Sequence, residues 1–258
     1  MTSQVSPRCI VITGATGGIG GALAPAYAAP GVTLILQGRR EARLQALATE
    51  CRALGARVRV EGLDVQDIDG LRAWMRAISE EEAPDLVIVA AGVNTDVGPE
   101  GAGEVWEASR ALIEINVLAA MATVEAALPA MRARRSGQIA LFSSLAGWRG
   151  LPSTPSYSAS KAAIKAYGES IRDWLAPEGV KVTVIMPGYV ESKMCHEMPG
   201  PKPFLWTPER AARCIRKGLA RNQPRISFPF PLNLGCWALG MIPQRMSSVI
   251  LRWMDYGV

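Results

Sequence analysis

Cys9-Ile10-Val11-Ile12-Thr13-Gly14-Ala15-Thr16-Gly17-Gly18-Ile19-Gly20 is the stretch on which the fold turns. The run from Cys9 to Ile12 is apolar and short, the signature of one buried strand. Four glycines then fall within seven residues. Glycine lets a backbone turn sharply and come close to a pyrophosphate, and a helix opening there offers free N–H groups and a positive dipole end. A plain structural turn also uses glycine. The strand–turn–helix setting makes a phosphate cradle the better reading, held by Gly14, Thr16, Gly17, Gly18, Ile19 and Gly20.

Working outward, apolar runs of strand length recur at residues 32–36, 86–89, 138–142 and 180–185, with a weaker strand signal at 57–61. Segments of helical spacing lie between them. Leu44, Leu47, Ala48 and Cys51 share one helix face, and Leu71, Trp74, Met75 and Ile78 another. Strands alternating with helices predict an α/β fold: one doubly wound Rossmann-type domain with a parallel sheet and helices on both faces. No repeat or flexible linker divides residues 1–258. The core spans about 8–228, a substrate lid about 189–206, and an apolar C-terminal appendage about 229–258.

The chain has 258 residues, 49% of them hydrophobic, enough for a large core, and a net charge of +5. The charge is scattered arginine rather than a basic block, and no nucleic-acid-binding motif occurs, so no nucleic-acid partner is expected. Five cysteines lie far apart without a Cys-x-x-Cys pair, which suggests neither a metal site nor a disulfide framework and fits a reducing cytoplasm. Residues 1–7 are polar, unlike a secretory leader. His196 is the single histidine and reads as an ordinary loop residue, so Ser-His-Asp catalysis has little support.

The second strand ends in Gln37-Gly38-Arg39-Arg40. An acidic residue there would bind the adenosine ribose hydroxyls of NAD and repel a 2′-phosphate. Instead Gly38 leaves room, and Arg39 and Arg40 can pair with that phosphate, which favours NADP(H) over NAD(H). Tyr157 and Lys161 are four apart on a predicted helix over 155–174, hence on one face. A lysine ammonium beside a phenol favours the phenolate and draws the tyrosine pKa down from about 10, giving a useful general acid/base. Ser144 follows a predicted strand, thirteen residues before Tyr157. Asn116 is a polar residue within an otherwise apolar helical run, 105–131.

These motifs resemble the short-chain dehydrogenase/reductase family. Thr13-Gly14-x-x-x-Gly18-x-Gly20 is similar to its glycine fingerprint, and Phe142-Ser143-Ser144 with Tyr157-Ser158-Ala159-Ser160-Lys161 to its catalytic segment. The resemblance covers residues 8–222. It implies that Tyr157 transfers the proton and Ser144 orients the carbonyl. Lys161 binds the nicotinamide ribose and tunes Tyr157, while Asn116 holds a relay water. It further implies that Asp64 and Val65 contact the adenine, and that Ala91, Gly92, Pro187, Gly188, Val190 and Ser192 line the cofactor. Two departures stand out. Val89-Ala90-Ala91-Gly92 lacks the family's usual asparagine, which puts sheet detail in doubt, and the unusual C-terminus leaves the usual homo-oligomer, dimer or tetramer, open.

The implied activity is hydride transfer between NADP(H) and a ketone or secondary alcohol, with a hydrophobic or lipid-like substrate. A nicotinamide-dependent lyase or epimerase and a nucleotide sensor on the same fold are the alternatives. Residues 226–244 carry no charge but are interrupted by Pro229, Pro231 and Pro243, against a transmembrane helix. Met246, Val249, Ile250 and Trp253 recur at helical spacing near Arg245 and Arg252. That stripe reads either as packed core or subunit interface, or as a substrate-pocket wall that touches a bilayer surface.

Overall fold

The computed structural model describes residues 6–198 and 200–254. The first five residues, Pro199 of the expected lid and the last four residues of the apolar tail lie outside the described residues. Seven parallel strands form one sheet: β1 (Cys9–Thr13), β2 (Thr33–Gln37), β3 (Arg57–Glu61), β4 (Leu86–Val89), β5 (Gly137–Phe142), β6 (Val180–Pro187) and β7 (Arg225–Phe228). Their order is β3-β2-β1-β4-β5-β6-β7. The direction of winding reverses between β1 and β4, and crevices for ligands open at the carboxyl ends of strands at such a switch.

Side chains alternate across the sheet as a strand's period of two requires. Ile10, Ile12, Leu34, Leu36, Leu86 and Ile88 point to one face, under α1 (Gly18–Tyr27), α2 (Glu41–Ala53) and α8 (Pro208–Ala220). Val11, Ile35, Val87 and Val89 point to the other, under α3 (Ile68–Glu81), α5 (Ala119–Ala133) and α6 (Pro155–Leu175). The predicted α2 and α3 faces pack inward, with Trp74 only partly buried. Despite the missing asparagine the sheet is continuous across β1–β4–β5. The Thr13 hydroxyl accepts from the Ala91 N–H at 3.4 Å, and the Asp85 carboxylate accepts from the N–H groups of Arg8 and Cys9 at the opposite end of β1.

The run read as one helix over 105–131 contains a widened turn. It comprises α4 (Trp106–Ile113), a π-helical turn (Glu114–Leu118) and α5. The whole is long and apolar enough to cross a membrane, yet most of its apolar window is buried in the core. His196 sits not in a loop but on α7 (Lys193–Glu197), exposed. The tail forms α9 (Leu232–Met241) and α10 (Gln244–Trp253). In α10 the packed-core reading fails for three of the four stripe residues: Met246, Val249 and Trp253 are exposed, Trp253 by 85%, while Ser247 and Leu251 face inward.

Candidate active site

The chain leaves β1 through Gly14, whose φ is +67° and whose added Cβ would lie 2.6 Å from the Ala91 backbone. No other residue type fits that approach. Gly20 lets α1 pass over the same turn, since a Cβ there would meet the Gly14 carbonyl at 2.5 Å. Gln37, fully buried, fixes the loop: its Oε1 accepts from the Gly14 N–H, its Nε2 donates to the Leu63 carbonyl, and its own carbonyl accepts from the Ala15 N–H. Sequence reasoning quoted Gln37 without giving it a part. Helix α1 starts with no side-chain cap and no acid in its first turn. Its N–H groups and dipole end are left to an anion.

A single cleft of ≈ 1690 Å³ runs from this loop across the strand ends to the tail. Gly14, Thr16, Gly17, Gly18, Ile19 and Gly20 line one end with Gly38, Arg39 and Arg40. Arg40 is held there, its Nη2 donating to the Thr16 carbonyl and its Nε to the Thr16 hydroxyl at 3.4 Å. Arg39 lies 3.6 Å from the Asp64 carboxylate, both about half exposed. Val65 reaches the cleft, whereas Asp64 does not line it; its other oxygen accepts from the Gln66 N–H. Ala91, Gly92, Pro187, Gly188, Val190 and Ser192 line the middle. Ser192 also caps α7, accepting from the Cys195 N–H at 3.1 Å.

Ser144, Tyr157 and Lys161 converge beyond them. Ser144 leaves β5 with its hydroxyl beside the Tyr157 phenol, donating to the Pro187 carbonyl at 3.4 Å and accepting from the Ala146 N–H at 3.2 Å. The neighbouring Ser143 turns inward and donates to the Lys161 carbonyl at 2.6 Å, tying β5 to α6. Lys161 Nζ lies 5.5 Å from the centre of the Tyr157 ring and donates to the Phe142 carbonyl at 3.1 Å. Asn116 sits one layer back, buried in the π-turn and outside the cleft lining. Its Oδ1 accepts from the Val93 N–H, and its Nδ2 donates to the Val93 carbonyl and the Ser160 hydroxyl at 3.1 Å.

The electrostatics differ from the expectation for Tyr157. Burial pushes its phenol up, and the Ser144 hydrogen bond opposes that only in part. Burial pulls Lys161 down to about 8. With Lys161 spent on a carbonyl and set over the ring, desolvation outweighs its pull on the phenol. At neutral pH the site therefore holds a protonated phenol beside an ammonium that is easily discharged. Cys195 and Cys236 also line the cleft, but burial pushes both thiols up, Cys236 to about 11, so neither is a ready nucleophile.

If the Lys161 cation is needed to hold the cofactor, kcat/KM for carbonyl reduction should stay level below about pH 8 and fall above it as the proton leaves. Folding runs the opposite way. The unfolded chain keeps that proton up to about 10.5, so this group adds stability between the two values as pH rises. Rate and thermal stability measured together across that window separate the effects; a level rate through pH 10 would sink the assignment.

The tail closes the far end. Leu232, Cys236, Leu239 and Ile242 from α9 and its exit, with Ile250 and Leu251 from α10 and Met254 just past its end, form an apolar wall there. Sequence reasoning raised the wall as one of two readings of the tail. The residues it did not find are Arg149 and Asn94, both on the lining. No local motif marks either.

A family model described as short chain dehydrogenase matches residues 8–201. The chain is 39% identical over 250 residues to an uncharacterised oxidoreductase of Myxococcus xanthus, covering 96% of this chain and 94% of that one. It is 30% identical to an 11-beta-hydroxysteroid dehydrogenase-like protein of Arabidopsis thaliana, over 96% of this chain and 85% of the other. Among solved structures, a short-chain dehydrogenase from Sphingobium yanoikuyae in complex with NADPH superposes with a TM-score of 0.81 at 23% identity, covering 93% of this chain and 95% of that one.

Proposed function

Because this chain belongs to the short-chain dehydrogenase/reductase family and is an NAD(P)-dependent oxidoreductase, we propose that it uses NADP(H) to interconvert a bulky apolar ketone and its secondary alcohol. The observation that carries the reading is one cleft with a glycine-rich phosphate cradle at one end, Ser144 and Tyr157 in contact at its middle, and an apolar wall at the other. The cradle fits a nicotinamide dinucleotide: α1 offers an uncapped N-terminus, and Arg39 and Arg40 line the same end, where they would pair with a 2′-phosphate. Bound there, the cofactor supplies the hydride.

The chain's own residues do the rest. Tyr157 donates the proton to the carbonyl oxygen during reduction and takes it back during oxidation. Ser144 holds the same oxygen by its hydroxyl. Lys161 grips the ribose and supports the charge that develops on Tyr157. Asn116, whose side-chain amide also bonds Val93 and Ser160, holds the relay water. Val65 flanks the adenine with Asp64 beside it, outside the lining and against Arg39, and Ala91, Gly92, Pro187, Gly188, Val190 and Ser192 flank the nicotinamide half. Residues 189–206 serve as the lid.

The setting is cytoplasmic, with two further contacts. Trp106, Ile113, Leu118 and Met121 are exposed along one helical run, which favours a homo-oligomer. Phe230, Leu234, Trp237, Met241, Met246, Val249 and Trp253 are exposed on the tail beside Arg245 and Arg252, which favours peripheral docking on an anionic bilayer. The test is a panel of ketones with NADPH. Bulky apolar ketones should be reduced at least about tenfold better than acetone in kcat/KM, since each buried methylene adds about 0.8 kcal/mol. Co-sedimentation with phosphatidylserine vesicles should be lost in Trp237→Glu/Trp253→Glu with the ketone profile kept. Equal use of short and bulky ketones would remove the apolar-substrate reading, and indifference to vesicles the docking.

A further inference from the structure

At the substrate end the cleft wall is mostly apolar, with Asn94, Asp96 and a single cation as polar points. Arg149, on the loop after β5, reaches the lining among Leu145, Leu151, Ile242 and Leu251. Three hydrogen bonds hold its guanidinium: Nε donates to the Ser247 hydroxyl at 2.9 Å, Nη1 to the Gly150 carbonyl at 3.0 Å, and Nη2 to the Ser248 hydroxyl at 3.3 Å. Ser247 is fully buried, so α10 provides a fixed mount.

All three partners are neutral. Arg149 forms no ion pair with any described carboxylate. Asp96, which also lines the cleft, turns one oxygen to the Gly98 N–H at 2.8 Å. A half-buried guanidinium against apolar walls, with no counter-charge, is an unfavourable arrangement unless a ligand completes it. Of its five N–H donors, two remain, one on each terminal nitrogen. One donor on each terminal nitrogen is a set that a guanidinium can offer to the two oxygens of one carboxylate, the strongest pairing this group makes. The other cations on the lining, Arg39, Arg40, Arg43, Lys161 and Lys193, belong to the nucleotide end, the reacting centre and the lid.

We propose that Arg149 anchors a carboxylate on the substrate, which is therefore an amphipathic acid: a keto or hydroxy compound with an apolar body and a carboxylate remote from the reacting carbon. Its reacting end rests on the ketone-reductase reading above; the anchor itself does not. Arg149 also ties the β5 loop to α10, and a tie alone would serve charged and neutral ligands equally.

The experiment therefore reads binding rather than turnover. Decanoate and methyl decanoate are titrated calorimetrically into the full chain saturated with NADP⁺. Decanoate should bind one per chain and at least about tenfold tighter than the ester, the size of one charge-assisted pair. Arg149→Gln should weaken decanoate by about 10–100-fold and leave the ester within about twofold. Arg149→Lys, which keeps the charge but not the fork, should retain part of the preference, and Ser248→Ala, which loosens the tie, nearly all of it. Equal binding of acid and ester by the wild type, or equal loss of both in Arg149→Gln, would overturn the anchor. Tight, Arg149-dependent decanoate binding in a protein that reduces no ketone would support the anchor and overturn the reductase reading instead.

Discussion

Tyr157→Phe is expected to lower kcat by about 10²–10⁴, the range for losing one positioned proton donor, with the Kd for NADPH nearly unchanged. The phenol is buried at the middle of the cleft, and the Ser144 hydroxyl is its hydrogen-bonding neighbour. Phenylalanine fills the same space, so packing against Leu112 and Ala146 is kept and the fold has no cause to suffer. Only the proton and the hydrogen bond are lost. Because burial raises this phenol's pKa, it is a protonated acid at neutral pH, suited to giving its proton to a carbonyl oxygen. Ser144→Ala should cost less, because it removes an orienting bond and leaves the donor. Near-normal kcat in a folded Tyr157→Phe enzyme would remove Tyr157 from the chemistry.

The second large effect concerns the arginines after β2. The wild type should favour NADPH over NADH in kcat/KM, and Arg39→Ala/Arg40→Ala should erase about 10²-fold of NADPH efficiency while changing NADH use little. Hydrogen bonds to charged groups contribute about 1.5–3 kcal/mol each, and only NADPH carries the extra phosphate. The two residues are not equivalent. Arg40 is pinned to Thr16, inside the phosphate loop, whereas Arg39 already has Asp64 near it. Arg40→Ala alone should therefore be the more damaging single change. An NADH preference in the wild type would mean that both guanidinium groups serve the solvent face.

Much of this was legible in the chain itself, for identifiable reasons. Gly14 answers to a turn so close to Ala91 that an added Cβ would lie 2.6 Å from its backbone, so the glycines after β1 stand out as residue types. The strands are short apolar runs because both faces of a parallel sheet are covered. Spacing chose Ser144 over Ser143, and the structure turns Ser143 inward to the Lys161 carbonyl. The seventh strand was visible only as the start of the uncharged run.

What escaped was set by tertiary contact. The π-turn at Asn116 leaves no mark in an apolar periodicity that continues through it. Arg149 finds its partners 98 and 99 residues away, beyond any local pattern. The packed-core reading of the α10 stripe fails because both sides of that helix carry apolar residues. Its inner side is small and mixed, Ser247 with Leu251, while Met246, Val249 and Trp253 remain outside. The pKa of Tyr157 moves up rather than down because the phenol is buried, and spacing reports a lysine four residues away but neither that burial nor where the ammonium points.

The most direct measurement of the central claim is stoichiometric. The enzyme is mixed with NADPH and a bulky apolar ketone, the loss of reduced-nicotinamide absorbance is followed, and the alcohol formed is quantified in the same sample. One NADPH should be consumed for each alcohol produced, with the hydride traceable as deuterium from labelled cofactor to the carbinol carbon. Product formed without net NADPH oxidation, or NADPH consumed without labelled alcohol, would contradict a ketone reductase.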